Sequence, residues 1–294
     1  MIAFKGWVGI IGASSLIGDC LLPLLVEDGY DVVAFSRRAS LAQQQQARQG
    51  VVWRLLSIRY FHDAEPITKW ICLAPIWVLP EYFSLFIHYG VKHVVAISST
   101  SRFTKDLSSD TAEKKLAAKL TEGEQLFIDW AEKNQVTWTI LRPTLTYGLR
   151  RDRNISVIAS FIQRFAFFPL LGEARGLRQP LHAQDVAFCC KAALSAEKAS
   201  NRSYNISGGE TLTYREMVGR VFSALGRKAR FITLPLWIFR GTIFYLRVLP
   251  SFRRWSATMA ERMNSDLVFD HTDARRDLAF TPRPFCLPRE DLPR

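Results

Sequence analysis

Short apolar runs alternate with amphipathic segments over the first 148 residues, and this alternation constrains the fold more than any other feature. Apolar runs of strand length occupy residues 7–11, 31–35, 51–55, 69–74, 93–98 and 137–142, and helix-like segments occupy 16–27, 41–49, 80–89 and 110–133. Buried parallel strands are short and apolar, and regular alternation with helices covers both faces of their sheet. We therefore predict a doubly wound α/β sheet with its ligand crevice beyond the carboxyl ends of the strands.

The alternation decays after Gly148, where proline and glycine separate shorter elements. We predict a first domain over residues 1–148 and a smaller lobe over residues 149–294, built on the crevice and with later segments that return to the first domain. Neither a Ser/Gly-rich linker nor an internal repeat is visible in the sequence.

The composition excludes a wholly disordered chain and favours anionic partners. Hydrophobic residues make up 48% of the 294 residues, which is enough to bury a sizeable core. Lys and Arg number 39 against 27 Asp and Glu, so the formal net charge is +12. This charge favours anionic partners such as nucleotides, nucleic acid or a membrane surface, and the alternative is an ordinary soluble protein with a basic face.

Cysteine and histidine usage favours an intracellular protein without a metal. Five cysteines with no CxxC pair do not make a disulfide scaffold, so we expect a reducing, cytoplasmic compartment. The five histidines lack the spacing of metal ligands. The N-terminus does not have the layout of a signal peptide, and the longest apolar stretch, 231–249, is interrupted by Pro235, Arg240 and Arg247.

A glycine-bearing turn follows the first predicted strand. Gly12 and Gly18 fit the first and third positions of a GxxGxxG spacing, and Ser15 takes the middle position. Such a turn brings the backbone close to a pyrophosphate, and the following helix directs its first amides at the phosphates. The predicted contacts in this turn are Gly12, Ser14, Ser15, Leu16, Ile17 and Gly18, which would make residues 1–148 an NAD(P)-binding Rossmann domain.

The end of the second strand favours NADP over NAD. An NAD site places a carboxylate there, on the ribose diol, but this chain has Ser36, Arg37 and Arg38. Arginine can clamp a 2′-phosphate, so we predict NADP as the cofactor. The alternative is that the two arginines only solvate the start of a helix.

Several further motifs carry a family resemblance. They are ISST at 97–100, LRPTLTYG at 141–148, RQPLHAQDVA at 178–187, YNISGGE at 204–210 and LAFTP at 278–282. With the glycine turn, these motifs resemble in order those of the extended and atypical short-chain dehydrogenase/reductase superfamily, within the NAD-dependent epimerase/dehydratase group. The resemblance covers about residues 7–285. It implies a Rossmann domain with a substrate lobe, Pro143 beside the nicotinamide with Ala74 among the cofactor contacts, and residues 98–100 facing the reacting carbon. The alternative is that the hydroxyls of residues 98–100 only cap the loop that follows.

The usual catalytic pair of that superfamily, a Tyr and a Lys four residues later, is missing. Alignment of the helix at 110–133 places Leu116 and Leu120 at these positions, and Lys115 and Lys119 lie one residue out of register. We therefore consider Tyr147, Ser99 and Thr100 as substitutes in acid/base work. His182 has a suitable pKa for a base, but the resemblance places it in a stretch that orients the lobe.

Basic residues mark candidate substrate and surface contacts. Arg150, Arg151 and Arg153 follow Gly148 and could grip the pyrophosphate of a sugar nucleotide, and Arg178 is a further candidate. Residues 226–262 combine eight basic residues and one acidic residue with large aromatics. This composition suits anionic headgroups at a membrane surface, or aromatics that pack inward beneath solvated arginines. No recognised motif supports nucleic acid as a partner.

These observations predict an NADP-dependent oxidoreductase or epimerase-like enzyme with non-standard acid/base residues. Its substrate would be a sugar nucleotide or a lipid-linked relative. The alternative is a non-catalytic NADP-binding sensor or scaffold, associated with a membrane surface. The sequence determines neither the substrate nor the oligomeric state.

Overall fold

The computed structural model describes residues 4–37, 50–56, 65–106, 110–235 and 257–293. The strands are β1 (Trp7–Ile11), β2 (Asp31–Ser36), β3 (Val51–Leu55), β4 (Lys69–Cys72), β5 (His93–Ile97), β6 (Thr137–Pro143), β7 (Thr146–Tyr147), β8 (Phe168–Leu171), β9 (Leu177–Arg178), β10 (Leu181–His182), β11 (Arg202–Ile206), β12 (Leu212–Thr213) and β13 (Phe231–Leu234). The α-helices are α1 (Leu16–Glu27), α2 (Phe83–His88), α3 (Ser101–Thr104), α4 (Thr111–Lys133), α5 (Ile155–Phe165), α6 (Ala183–Ala193), α7 (Tyr214–Ala224), α8 (Ala257–Asn264) and α9 (Thr272–Leu278).

Seven parallel strands form the central sheet in the order β11-β6-β5-β4-β1-β2-β3. The strand order reverses between β1 and β4, so the crevice between their carboxyl ends is the topological switch point of the sheet. This arrangement confirms the predicted doubly wound α/β fold. β11 lies in the second half of the chain, yet it pairs with β6 in the same sheet as the strands of the first half.

Side chains of alternate strand residues pack into two apolar layers, one on each face of the sheet. Ile10 packs with α1 and α6, whereas the next residue, Ile11, packs on the other face with α2 and α4. Successive side chains of a strand point to opposite faces, which is why strands covered on both sides are apolar throughout. The two layers fix the helices and therefore the position of the crevice.

A third apolar cluster holds the smaller lobe together. Its members lie on α5, α7 and β8, and they include Ile158, Ile162, Val218 and Phe222. β13 pairs in parallel with β8 at the edge of this lobe. The lobe therefore has a core of its own beside the carboxyl edge of the main sheet.

Two predicted elements differ in detail. The helix predicted at 80–89 is a 3-10 helix over Ile76–Tyr82 followed by α2, and it contains Pro80, which has no amide hydrogen to donate. The predicted fourth strand ends at Cys72, before Pro75. The predicted polar helix at 41–49 lies outside the described residues. Within the described part of the chain, none of the helices is long and apolar enough to cross a membrane.

Candidate functional site

The turn between β1 and α1 leaves no room for side chains at its glycines. Gly12 has φ +81°, and a Cβ there would lie 3.0 Å from the Ala74 amide nitrogen. A Cβ on Gly18 would lie 2.0 Å from the carbonyl oxygen of Ala13. The first glycine therefore lets the turn approach the end of β4, and the second lets α1 pack against the turn. This cradle has the features that a dinucleotide pyrophosphate requires.

Ser15 caps α1 rather than offering its hydroxyl oxygen outward. It is the N-cap residue, and its Oγ accepts a hydrogen bond from the Gly18 amide at 3.2 Å. Leu16 and Ile17 follow in the first turn, where helix geometry supplies no intrahelical acceptor for their amides. Ser15 therefore has a capping role, but its hydroxyl only accepts here and can still donate its own proton, so donation from Ser15 to phosphate stays a prediction beside the backbone amides.

The end of β2 carries the residues predicted to select the cofactor. Ser36 is buried and Arg37 is exposed. Arg37 therefore extends from the carboxyl edge of the sheet two strands from the switch point, at the side where an adenosine ribose lies in this class of fold. Arg38 lies outside the described residues.

Ser99, Thr100 and Pro143 come together where β5 and β6 end. The amide and the hydroxyl of Thr100 both donate to the Pro143 carbonyl oxygen, each at 3.2 Å. Ser99 Oγ accepts from the Ser101 amide at 3.1 Å. The Thr100 hydroxyl therefore already donates to the backbone. The Ser99 hydroxyl only accepts, so it can still donate its own proton.

The two leucines at the positions of the missing catalytic pair belong to the apolar layer under α4. Leu120 is buried, and Leu116 packs against the same cluster. Gly123, three residues on, sits against the backbone of Trp77, where a Cβ would lie 2.8 Å from its Cα. Both leucines and Gly123 therefore serve the close packing of α4.

Tyr147 does not occupy the role that the sequence suggested for it. Its side chain is fully buried, and its hydroxyl donates to the carbonyl oxygen of Cys286 at 3.0 Å. The ring packs edge-on against His182 and Phe285. Burial raises the pKa of Tyr147 well above its ordinary value. This environment makes Tyr147 a structural anchor for the C-terminal segment instead of an acid/base group.

Arg178 is also corrected from a substrate contact to a structural residue. It is 3% exposed, and its guanidinium donates to the backbone carbonyls of Leu177, Ser265 and Arg262. Burial lowers the pKa of Arg178 to about 10. Because the Arg178 guanidinium donates to three carbonyl oxygens, it holds the start of segment 265–269 against β9 and is not available to a substrate.

Arg150 and Arg151, in the loop after Gly148, contact different parts of the structure. Arg150 donates to the Arg289 carbonyl oxygen at 2.9 Å, so it faces the C-terminal segment. Arg151 instead reaches the glycine turn, where it donates to the Ser14 carbonyl oxygen at 2.8 Å and pairs with the Asp19 carboxylate. Arg151 is therefore placed at the cofactor cradle rather than at a separate substrate subsite.

A buried carboxylate that the sequence analysis missed lies below the ends of β5 and β6. Glu124 on α4 is 1% exposed and accepts from the Ser98 hydroxyl and from the guanidiniums of Arg142 and Arg102. The signal was available, because Glu124 falls on the apolar stripe formed by Leu120, Phe127 and Ala131. A charged residue on a buried stripe indicates a buried ion pair. This one holds the 98–102 loop in place.

Only the two ends of the basic aromatic segment 226–262 fall within the described residues. Arg227, Lys228 and Arg230 are exposed, and the Arg227 guanidinium donates to the Ile162 carbonyl oxygen at 2.8 Å. At the other end, Arg262 pairs with Glu113 on α4 at 3.1 Å. The predicted contacts at 236–256 lie outside the described part of the chain.

Comparisons with known proteins are consistent with this geometry. A model of the NAD dependent epimerase/dehydratase family matches residues 83–207. The structure is similar to that of UDP-glucuronic acid 4-epimerase from Bacillus cereus in complex with UDP-glucuronic acid and NAD, with a TM-score of 0.69 and 16% identity over 94% of each chain. This likeness shows a shared fold.

Two named relatives match parts of the sequence. Identity is 29% over 98 residues with NADH dehydrogenase (ubiquinone) 1 alpha subcomplex subunit 9, mitochondrial, of Arabidopsis thaliana, over 33% of this chain and 24% of that protein. Identity is 27% over 161 residues with short-chain dehydrogenase/reductase family 42E member 1 of Mus musculus, over 50% of this chain and 41% of that protein. The matches thus span between about a quarter and half of the length of the curated relatives.

Proposed function

We propose that the chain, whose motifs and fold resemble those of the extended short-chain dehydrogenase/reductase superfamily, binds a nicotinamide dinucleotide at residues 12–18 and works as an epimerase-like oxidoreductase. The observation that carries this proposal is the tight turn at the switch point, where a Cβ on Gly12 or Gly18 would collide with neighbouring backbone atoms. Ala13, Ser14, Leu16 and Ile17 complete the turn around the pyrophosphate. When bound, the nicotinamide ring supplies the chemistry of hydride transfer.

The residues of the chain would orient the two reactants and hold a proton. Pro143 and the 98–100 loop border the nicotinamide side of the crevice, and the buried Glu124 cluster fixes that loop. The Ser99 hydroxyl is the described group best suited to donate a hydrogen bond to a carbonyl or sugar oxygen of the substrate. An unassisted serine is a weak base, so this arrangement supports polarisation of an oxygen more than proton abstraction.

The proposed cofactor is NADP, although NAD is the one that the Bacillus cereus structure contains. The proposal rests on Arg37 and Arg38 at the end of β2, where a carboxylate would favour the ribose diol of NAD. The proposed substrate is a sugar nucleotide, in line with the UDP-glucuronic acid in that structure, or a lipid-linked relative. The net charge of +12 suits either anionic substrate.

Titration of the purified protein with NADPH and with NADH tests the cofactor proposal. We expect tighter binding of NADPH, and a loss of that preference in Arg37→Ala and Arg38→Ala. Equal affinities of the wild-type protein for the two cofactors would overturn the NADP assignment while leaving dinucleotide binding intact. Deuterium transfer from labelled NADPH to a panel of UDP-sugars and carbonyl compounds then tests turnover.

A second candidate function is a non-catalytic dinucleotide-binding scaffold or sensor. Leu116 and Leu120 favour it, because leucine cannot exchange a proton at the two positions aligned with the usual catalytic pair, and the burial of Tyr147 removes one substitute. One matching relative is named as a subunit of an NADH dehydrogenase subcomplex. Tight NADPH binding without label transfer to any compound in the panel would favour this second function.

A peripheral membrane location is a further proposal that the composition of residues 226–262 supports. Basic residues interleaved with large aromatics attach to anionic headgroups. Flotation with vesicles containing phosphatidylserine tests it. We expect binding that Arg253→Glu with Arg254→Glu abolishes, and an absence of wild-type binding would remove the membrane from the proposal.

A further inference from the structure

One guanidinium connects the smaller lobe to the cofactor cradle. Arg151, in the loop after β7, donates to the Ser14 carbonyl oxygen at 2.8 Å and pairs with Asp19, which lies 132 residues earlier in the first turn of α1. The side chains of Arg151 and Asp19 are 49% and 34% exposed. The pair therefore closes one side of the turn while staying accessible to solutes.

The loop that carries Arg151 is held firmly from the opposite side. Leu149 and Arg150 both adopt positive φ, at 50° and 60°, which non-glycine residues adopt only when the surroundings impose it. The Leu149 amide donates to Asp291 at 2.7 Å, and Arg150 donates to the Arg289 carbonyl oxygen. The C-terminal segment thus anchors the loop, and Arg151 is the residue of this loop that points to α1.

The carboxylate of Asp19 is an unexpected neighbour for a phosphate site. The amino end of a helix attracts anions, and a carboxylate in the first turn competes with a diphosphate for that positive end. Arg151 neutralises this carboxylate. Entry of a diphosphate would place a second, more highly charged anion within reach of the same guanidinium.

We propose that Arg151 is a cofactor clasp, whose guanidinium turns from Asp19 to the pyrophosphate when the dinucleotide binds. This inference rests on the proposed dinucleotide site and adds the residue from the smaller lobe that closes it. Asp19 holds the guanidinium at the rim of the cradle and lowers the affinity for the cofactor. Binding of the pyrophosphate then couples the lobe to the Rossmann domain through one ion pair.

Calorimetric titration of NADPH into Arg151→Gln, Asp19→Asn and Arg175→Gln tests the clasp. Arg151→Gln is expected to weaken binding about tenfold, because it removes a charge-assisted contact to the pyrophosphate. Asp19→Asn is expected to tighten binding about threefold, because it removes the competing negative charge and leaves only a neutral amide oxygen as an acceptor. Arg175→Gln removes the same charge from an exposed ion pair with Glu173 elsewhere in the smaller lobe and should bind NADPH like the wild-type protein. Raising the NaCl concentration should shrink the first two effects.

The possible results separate the clasp from the site on which it rests. If the wild-type protein binds no dinucleotide, the proposed function fails and the clasp fails with it. If the wild-type protein binds NADPH but Arg151→Gln has the same affinity and only a lower melting temperature, Arg151 is a structural brace and the clasp alone is refuted. Weaker binding by Asp19→Asn would also refute it.

Discussion

The Nε2 atom of His182 lies 3.2 Å from a carboxylate oxygen of Asp291, although 109 residues separate the two in the chain. His182 Nδ1 accepts from the Gln184 amide, so Nε2 carries the proton and faces the carboxylate. Asp291 also accepts from the Leu149 amide. Burial alone would raise the pKa of Asp291, but the hydrogen bonds from His182 and Leu149 outweigh burial and lower it. The C-terminal segment is thereby fixed to the loop that carries Arg151.

Replacement of Asp291 should therefore be costly. In Asp291→Ala the half-buried Leu149 amide and the buried His182 lose their shared acceptor, and we expect the free energy of unfolding to fall by about 2–4 kcal/mol. Urea unfolding measures the change. Glu290→Gln, at the exposed neighbouring position, should lose less than about 0.5 kcal/mol. Equal effects of the two substitutions would contradict the anchoring role.

A methyl group at Gly18 should damage the cradle. Its Cβ would lie 2.0 Å from the Ala13 carbonyl oxygen, so the turn must move. For Gly18→Ala we expect at least about a tenfold loss of NADPH affinity and a destabilisation of about 1–3 kcal/mol. Gly219→Ala is the matched control, because nothing lies within 4 Å of its Cβ and alanine favours the helix. Unchanged NADPH affinity in Gly18→Ala would place the cofactor elsewhere.

The Tyr147→Phe variant tests whether the Tyr147 hydroxyl has a structural role or a catalytic one. It removes the hydrogen bond to the Cys286 carbonyl and should cost about 1 kcal/mol of stability. NADPH affinity and any turnover should remain at wild-type values, whereas Ser99→Ala should slow turnover. A turnover loss of tenfold or more in Tyr147→Phe, with binding intact, would restore Tyr147 to the reaction.

Glu124→Gln should break the buried cluster below the 98–102 loop. The substitution leaves the guanidiniums of Arg142 and Arg102 without their shared carboxylate, and we expect a loss of about 3 kcal/mol. Glu122→Gln, on the exposed side of the same helix, serves as the control and should be nearly neutral. Chemical denaturation of both variants measures the difference, and a stable Glu124→Gln protein would show that the cluster is dispensable.

His93 should make the fold sensitive to mild acid. Burial, followed by the nearby charge of Lys69, lowers the pKa of His93 to about 4. Between its ordinary pKa of about 6.5 and pH 4, the unfolded chain binds the proton and the folded chain does not, so stability falls as pH falls through this window. The wild-type protein should lose up to about 3 kcal/mol here because of His93.

Unfolding free energies of His93→Gln and the wild-type protein, measured at intervals from pH 7 to pH 4, test this dependence. The variant should show a flatter profile across the window, because glutamine does not titrate. Parallel profiles would show that His93 is charged in the folded protein or accessible to solvent.

The sequence by itself determined the parallel sheet and the glycine turn, because local patterns of burial and spacing encode both, and its motifs carried a family resemblance. It placed Ser99, Thr100 and Pro143 at the ends of β5 and β6, since parallel strands share one carboxyl edge. Direct contacts between distant segments were decided only by the tertiary structure. Cys286 turns the Tyr147 hydroxyl away from the crevice, and Asp19 draws Arg151 to the turn. The physical reason is that side-chain orientation and burial depend on partners more than a hundred residues away, which local periodicity does not encode.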